Sequence, residues 1–191
     1  MIIGIDEVGR GCWAGPLVAA AVGLTDSHGI VGLNDSKKLS MKKRQLLAGQ
    51  IRKTTSYLGV GWVWPDEINY LGLTQSVQLA MQRAIDKIEI EQCKVIIDGN
   101  INYLLHIPTS QAVIKADSCI PAVSAASIIA KVERDKYMSQ IAVQYPDYGF
   151  DQHVGYGTKL HVEALSKYGI TPIHRVNYKP LKKYAGSYDG N

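Results

Sequence analysis

Four carboxylates stand out because they follow short apolar runs. Asp6 and Glu7 close Ile2-Ile3-Gly4-Ile5, Asp98 closes Val95-Ile96-Ile97, and Asp117 follows Ile114-Lys115-Ala116. Such runs read as buried strands, and the strand ends of an open α/β sheet are where ligands bind. If the three ends lie side by side, the four acids meet. A cluster of that kind repels itself unless a cation neutralises it. All-oxygen ligands select a hard ion, Mg²⁺ or Mn²⁺. Two such ions about 4 Å apart would clamp a phosphodiester for in-line attack by water. Taken alone, Asp98 before Gly99 reads as a turn residue. Asp6 and Glu7 are strand neighbours and should point to opposite faces. Both serve one site only if the strand ends or twists there, which Gly9 and Gly11 allow.

The elements that must position these acids are legible in outline. Strands are expected at residues 1–8, 17–24, 55–63, 94–98 and 111–115. Ser40 caps a helix to about residue 53, and 65–90 has helical apolar spacing through Val77, Met81, Ala84, Ile85 and Ile88. Pro121 opens a long helix to about residue 143, whose many Ala and Ser residues allow close packing on a sheet. A last helix is expected over 156–168, with Gly169 as its stop. Consecutive early strands imply an antiparallel meander, and later strands joined by helices imply parallel pairing. The fold class is therefore α/β: a mixed five-stranded sheet flanked by helices, with a C-terminal helical part.

The 191 residues fit one domain, with 155–191 completing its cleft. A hydrophobic fraction of 46% supports a full core, and no apolar run is long enough to span a membrane. The first residues lack a basic stretch and meet two acids at once, unlike a signal peptide. Cys12, Cys93 and Cys119 have no metal-type spacing and read as reduced thiols of a cytoplasmic protein. The net charge of +4 suits a polyanionic partner without demanding one. Basic residues gather at Lys37, Lys38, Lys42, Lys43 and Arg44, and again at Arg175, Lys179, Lys182 and Lys183.

Longer motifs narrow the reading. Asp6-Glu7-Val8-Gly9-Arg10-Gly11 with Ala14-Gly15-Pro16 resembles the opening signature of ribonuclease HII. So do Leu33-Asn34-Asp35-Ser36-Lys37-Lys38-Leu39, the run from Val123 to Val132 with Arg134-Asp135, Gly155-Tyr156-Gly157-Thr158, and His174-Arg175. The resemblance runs in order from Met1 to about Pro180. It implies a ribonuclease H-like fold, hydrolysis of RNA in RNA–DNA duplexes, and incision 5′ to a single ribonucleotide in DNA. It implies that Asp6, Glu7, Asp98 and Asp117 bind the metal ions and carry catalysis. It places the sensor of the ribose 2′-hydroxyl on Gly9, Arg10 and Gly11, and a substrate-contacting tyrosine on Tyr156. Lys37 and Lys38 are candidates for phosphate contact. The partner is nucleic acid, and a monomer is expected. A clamp-type partner on the tail 184–191 is left open. Two departures stand out: Val154 occupies a position where lysine is expected, and Val176-Asn177-Tyr178 replaces a run of arginine, serine and phenylalanine.

Other readings are weaker. A non-catalytic duplex-binding module would not need four clustered acids, which repel phosphate. Gly9-Arg10-Gly11-Cys12-Trp13-Ala14 imitates a dinucleotide fingerprint, but that motif must open a helix and here Gly15-Pro16 follows. Asp135, inside the long helix, is expected to pair with a basic residue. The five histidines lack ligand spacing and are expected at the surface or in structural roles.

Overall fold

The computed structural model describes residues 1–55 and 57–185. β1 (Ile2–Val8) pairs antiparallel with β2 (Leu17–Leu24), and β2 pairs antiparallel with β3 (Leu58–Val63). β4 (Lys94–Asp98) lies parallel to β1, and β5 (Ser110–Val113) lies parallel to β4. The sheet order is β3-β2-β1-β4-β5, the expected mixed arrangement. Helices cover both faces: α1 (Met41–Thr54), α2 (Pro65–Leu71), α3 (Leu73–Ile85) and α4 (Pro121–Gln144). The short α5 (Phe150–His153), then α6 (Lys159–Tyr168) and α7 (Lys182–Ala185), complete the described chain.

Alternation along β1 divides the core. Ile3 and Ile5 pack with Val77, Met81 and Ile85 of α3, while Ile2 and Val8 face the alanines of α4 and Ile51 of α1. Gly4 explains how α4 comes so close. A Cβ there would collide with the backbone of Ala122 and Val123. On the other face, a Cβ at Gly59 or Gly61 would strike the carbonyl of Ala84 or Ala80. Helix α3 therefore rides directly on β3. From this position Arg83 Nη1 donates to the Trp62 carbonyl at 2.7 Å, and Lys87 Nζ donates to the Val60 carbonyl at 2.6 Å. A third cluster, including Met138, Tyr148, Phe150 and Leu165, joins the C-terminal segments to the far half of α4.

Four boundaries differ from the sequence expectation. The helix over 65–90 is two helices, because Gly72 at φ 76° ends α2 and starts α3. Its apolar spacing persists past Ile85 because Ile88 and Ile90, beyond the helix end, fold back on the same core. The last helix starts at Lys159, not at 156: the Thr158 hydroxyl accepts from the His161 N–H, so Thr158 is the cap. The fifth strand ends at Val113, and Lys115 turns the chain at φ 59°. The third strand starts at Leu58, three residues later than expected. Among the described residues, no helix is long and apolar enough to cross a membrane. The tail from 186 onward, where a clamp-type partner was left open, lies outside the described residues.

Candidate active site

Strand register brings the first acids together. Ile5 pairs with Ile97, so Asp6 and Asp98 follow side by side on adjacent parallel strands. Both lie on the α4 face of the sheet, as Ile2 and Ile96 do. Asp117 sits in the single 3-10 turn after β5, and its N–H donates to Asp98 Oδ1 at 3.3 Å. Glu7, the next residue of β1, has the opposite parity, and its N–H donates to Asp6 Oδ1 at 2.7 Å. Its carboxylate lies 3.6 Å from Arg10 Nη1. Arg10 also reaches the Tyr103 hydroxyl at 3.4 Å.

The four acids feel one another. Burial pushes Asp6 well above the usual carboxylate range, and the charges of Glu7 and Asp98 add to it. Burial also raises Glu7, with Arg10 opposing and Asp98 reinforcing. Asp117 is raised by burial, then by Asp98 and Asp35. Desolvated, mutually repelling carboxylates are what a cation would relieve. Among the described residues, no group of three or more His, Cys, Asp or Glu side chains is placed to hold a metal ion as the chain stands. The acids adjoin without converging on one point.

A cavity of about 190 Å³ opens beside them, lined by Asp6, Glu7, Val8, Ser36, Lys37, Ser127, Lys131 and Tyr156. The expected Tyr156 and Lys37 thus face the same space as Asp6 and Glu7. Lys38 does not line this cavity; its Nζ donates instead to the Ser118 hydroxyl at 3.3 Å, next in sequence to Asp117. Ser127 and Lys131 were not singled out by sequence reasoning. Their four-residue spacing on α4 puts them on one helix face, which was the available signal. Ser127 also hydrogen bonds to Ser36 at 2.9 Å, tying α4 to the lysine loop. Asp135 does pair with a base: Lys131 Nζ lies 2.8 Å from it.

The Gly9–Arg10–Gly11 loop is held from behind by two buried arginines. Arg134 Nε, Nη1 and Nη2 donate to the carbonyls of Pro16, Val154 and Ala14 at 2.8, 2.8 and 3.1 Å. Arg175 donates twice to the Gly15 carbonyl, at 3.0 and 2.9 Å, and once to the Arg10 carbonyl at 3.3 Å. Both side chains are fully buried. Gly9 has φ 91°, and a Cβ there would collide with the Arg134 guanidinium. Gly11 lies open beside the Tyr156 ring, with 3.9 Å between its would-be Cβ and that ring.

Both departures from the resembled pattern have structural roles here. Val154 adopts φ 44°, and its carbonyl receives Arg134. Asn177 bonds to Asn69, and the Tyr178 hydroxyl donates to the Arg10 carbonyl at 2.9 Å. The Val176–Tyr178 run thus buttresses the Arg10 loop. The histidine expectation divides. His153, His161 and His174 are buried and internally bonded, and their roles are structural.

The sheet order, the crossover helices and the strand-end acids define the ribonuclease H-like fold. The crystal structure of ribonuclease H2 from Pyrococcus horikoshii OT3 superposes with a TM-score of 0.83 at 26% identity, covering 100% of this chain and 99% of that one. The ribonuclease HII of Archaeoglobus fulgidus, solved in complex with PCNA, gives 0.77 at 30% identity over 94% of this chain and 95% of that one. The family model of ribonuclease HII matches residues 3–181. Ribonuclease HII of Shewanella halifaxensis (strain HAW-EB4) is 49% identical over 180 residues, covering 94% of this chain and 88% of its own. The chain belongs to the ribonuclease HII family and is an endoribonuclease of the ribonuclease H type.

Proposed function

We propose that this enzyme hydrolyses the RNA strand of RNA–DNA hybrids and incises 5′ to single ribonucleotides embedded in duplex DNA, leaving 3′-hydroxyl and 5′-phosphate ends. The observation that carries this reading is that Asp6 and Asp98 follow side by side on adjacent strands, with Asp117 bonded to Asp98 and Glu7 to Asp6, beside the cavity that Tyr156 and Lys37 line. An all-carboxylate donor set fits Mg²⁺ or Mn²⁺, and these four residues would hold the ions. When bound, such ions polarise the phosphodiester and lower the pKa of the attacking water.

The remaining groups bind and discriminate. Gly9 and Gly11 carry no side chain, so main-chain groups can approach the ribose closely. Its 2′-hydroxyl marks RNA at a given position. Arg10 supplies a fixed charge for the neighbouring phosphate, which would compete with Glu7 for the guanidinium. Tyr156 offers a ring to pack on the sugar and a hydroxyl to hydrogen-bond. Lys37 and Lys38 receive backbone phosphates, which position the duplex without reading its sequence. We take the chain as one unit in which the segment from 155 onward completes the cleft, working as a monomer in the cytoplasm.

The test is duplex DNA carrying one ribonucleotide, incubated with Mg²⁺ or Mn²⁺ and resolved on a denaturing gel. A single cut on the 5′ side of the ribonucleotide is expected. An intact strand with either metal would refute incision at single ribonucleotides, and if the RNA strand of an RNA–DNA hybrid also stayed intact, only a duplex-binding module of this fold would be left.

A further inference from the structure

Three buried histidines meet where the Tyr156 loop joins the C-terminal segment. His153 stacks on His161, with ring centroids 4.6 Å apart and 12° between planes. His161 Nε2 lies 3.0 Å from His174 Nε2. Their neighbours dictate which nitrogen carries each hydrogen. A carbonyl only accepts, so His161 Nδ1, 2.9 Å from the Tyr156 carbonyl, donates. His174 Nδ1 has three Thr171 atoms near it, the main-chain N–H at 2.8 Å, the hydroxyl at 2.9 Å and the carbonyl oxygen at 3.3 Å; the shortest is a pure donor and outweighs the longer carbonyl contact, so Nδ1 accepts. Between two neutral rings, His174 Nε2 then donates to His161 Nε2. The same logic makes His153 Nε2 the donor to the Tyr148 carbonyl at 2.7 Å, and His153 Nδ1 the acceptor from the Gly155 N–H at 3.2 Å. One directional chain of hydrogen bonds runs from Thr171 through His174 and His161 to the Tyr156 carbonyl.

The far end of that chain is tied to the loop bearing Arg10, which also bonds the Tyr156 loop directly through the Trp13 N–H and the Gly155 carbonyl at 2.8 Å. The Gly15 N–H donates to the Ile173 carbonyl at 2.9 Å, and the Arg175 N–H donates to the Trp13 carbonyl at 2.8 Å. Arg175 itself grips Gly15 and Arg10. The relay thus spans from the loop bearing Arg10 to the loop bearing Tyr156. Neither His161 nor His174 lines the carboxylate cavity.

Resting on the reading of Tyr156 as a substrate contact, we propose that His161 and His174 form a positioning relay that fixes the Tyr156 main chain relative to the Arg10 loop. Packing alone would not need this arrangement, because an apolar side chain could fill the space beside Phe150. Direction is what the imidazoles add: each ring accepts on one side and donates on the other.

The experiment compares His161→Leu, His161→Asn, Tyr156→Ala and the double variant His161→Leu/Tyr156→Ala. Incision of an embedded ribonucleotide is measured with Mg²⁺, well below each melting temperature. His161→Leu removes the donor to Tyr156, and a misplaced contact should lower turnover on the order of 10- to 100-fold. His161→Asn keeps an amide N–H near the Nδ1 position and should recover much of that loss. The double variant should be little worse than the worse single one, because both changes act through Tyr156. Hydrogen exchange across residues 154–158 should quicken in His161→Leu, with any further change confined to the Thr171–His174 end of the relay. Unchanged exchange across 154–158, or losses that multiply in the double variant, would overturn the relay. If His161→Leu does not fold, His161→Asn and His174→Gln, which keeps the donor toward His161, carry the same exchange and turnover tests. Normal cutting by Tyr156→Ala would sink the substrate-contact reading alone, and exchange would still decide the relay.

Discussion

Mild acid should weaken this protein through two specific rings. His161 is held down to about 4 and His174 to about 3, chiefly by burial. For His174 the neighbouring His161 lowers it further, and for His161 the neighbouring His153 does. Around them stand Trp13, Tyr148, Phe150 and His153. Among the described residues, no carboxylate pairs with either ring. In the unfolded chain a histidine titrates near 6.5. Because the folded values are depressed, the unfolded state binds more protons between about 6.5 and 4. Stability is therefore complete above that window and is lost as pH falls through it. At pH 5 an unfolded histidine gains roughly 2 kcal/mol from protonation, which a ring held at about 4 or below cannot match. For the pair this is about 4 kcal/mol, a large share of a typical stability of about 5–15 kcal/mol. At roughly 2–4 °C per kcal/mol for a chain of this size, the melting temperature should fall by about 8–16 °C between pH 7 and pH 5. The raised carboxylates Asp6, Glu7 and Asp117 act in the opposite sense, so the decisive quantity is a difference. Thermal melts by circular dichroism, at constant ionic strength, would compare the wild type with His161→Gln/His174→Gln. The double variant should lose most of the histidine-dependent drop. An equal drop in both proteins would refute the neutral relay.

Asp6→Asn or Asp98→Asn should lower turnover on the order of 10²-fold or more while duplex affinity stays within a few-fold, read by gel cleavage and by fluorescence anisotropy. Near-normal turnover at saturating Mg²⁺ would remove these acids from the reaction. Lys37→Ala should weaken binding to all duplexes alike and reduce the slope of log affinity against log salt by about 1, and an unchanged slope would mean that Lys37 meets no phosphate. Gly59→Ala places a methyl group against the Ala84 carbonyl and should cost about 3 kcal/mol in urea unfolding. A neutral result there would show that α3 shifts freely on β3.

The sheet and its acids were legible because they obey short-range rules. Apolar runs of β-branched residues marked β1 and β4, and a carboxylate after each run marked the site. The opposed parity of Asp6 and Glu7 was equally foreseeable. The strand alternation holds, with Glu7 reaching Arg10, yet both carboxylates line one cavity. What stayed hidden depends on long-range pairing. Arg134 and Pro16 lie 118 residues apart in sequence, and no periodicity announces that a buried guanidinium will seek carbonyls rather than a carboxylate. The three histidines at 153, 161 and 174 lack any metal spacing, and only the fold shows that they meet. Tyr156 was placed in a helix because apolar spacing continues backwards past Thr158, whereas the threonine cap stops the helix before reaching it.

The grip of α3 on β3 has a consequence for how the molecule meets its own copies. β3 is an outer strand, and the Val60 and Trp62 carbonyls are not bonded to β2. An unguarded row of such groups is a template on which another chain can add a strand. Here Lys87 and Arg83 already occupy both carbonyls; Lys87 brings a positive charge to the rim, and Arg83 is held in place by a bidentate pair with Glu67. A second molecule would have to displace two cations before its backbone could pair. At the opposite margin, β5 spans only four residues, too short a ledge for stable addition. The sheet is thus guarded at one side by charge and at the other by brevity, which favours a protein that stays dispersed when crowded along a long polyanion.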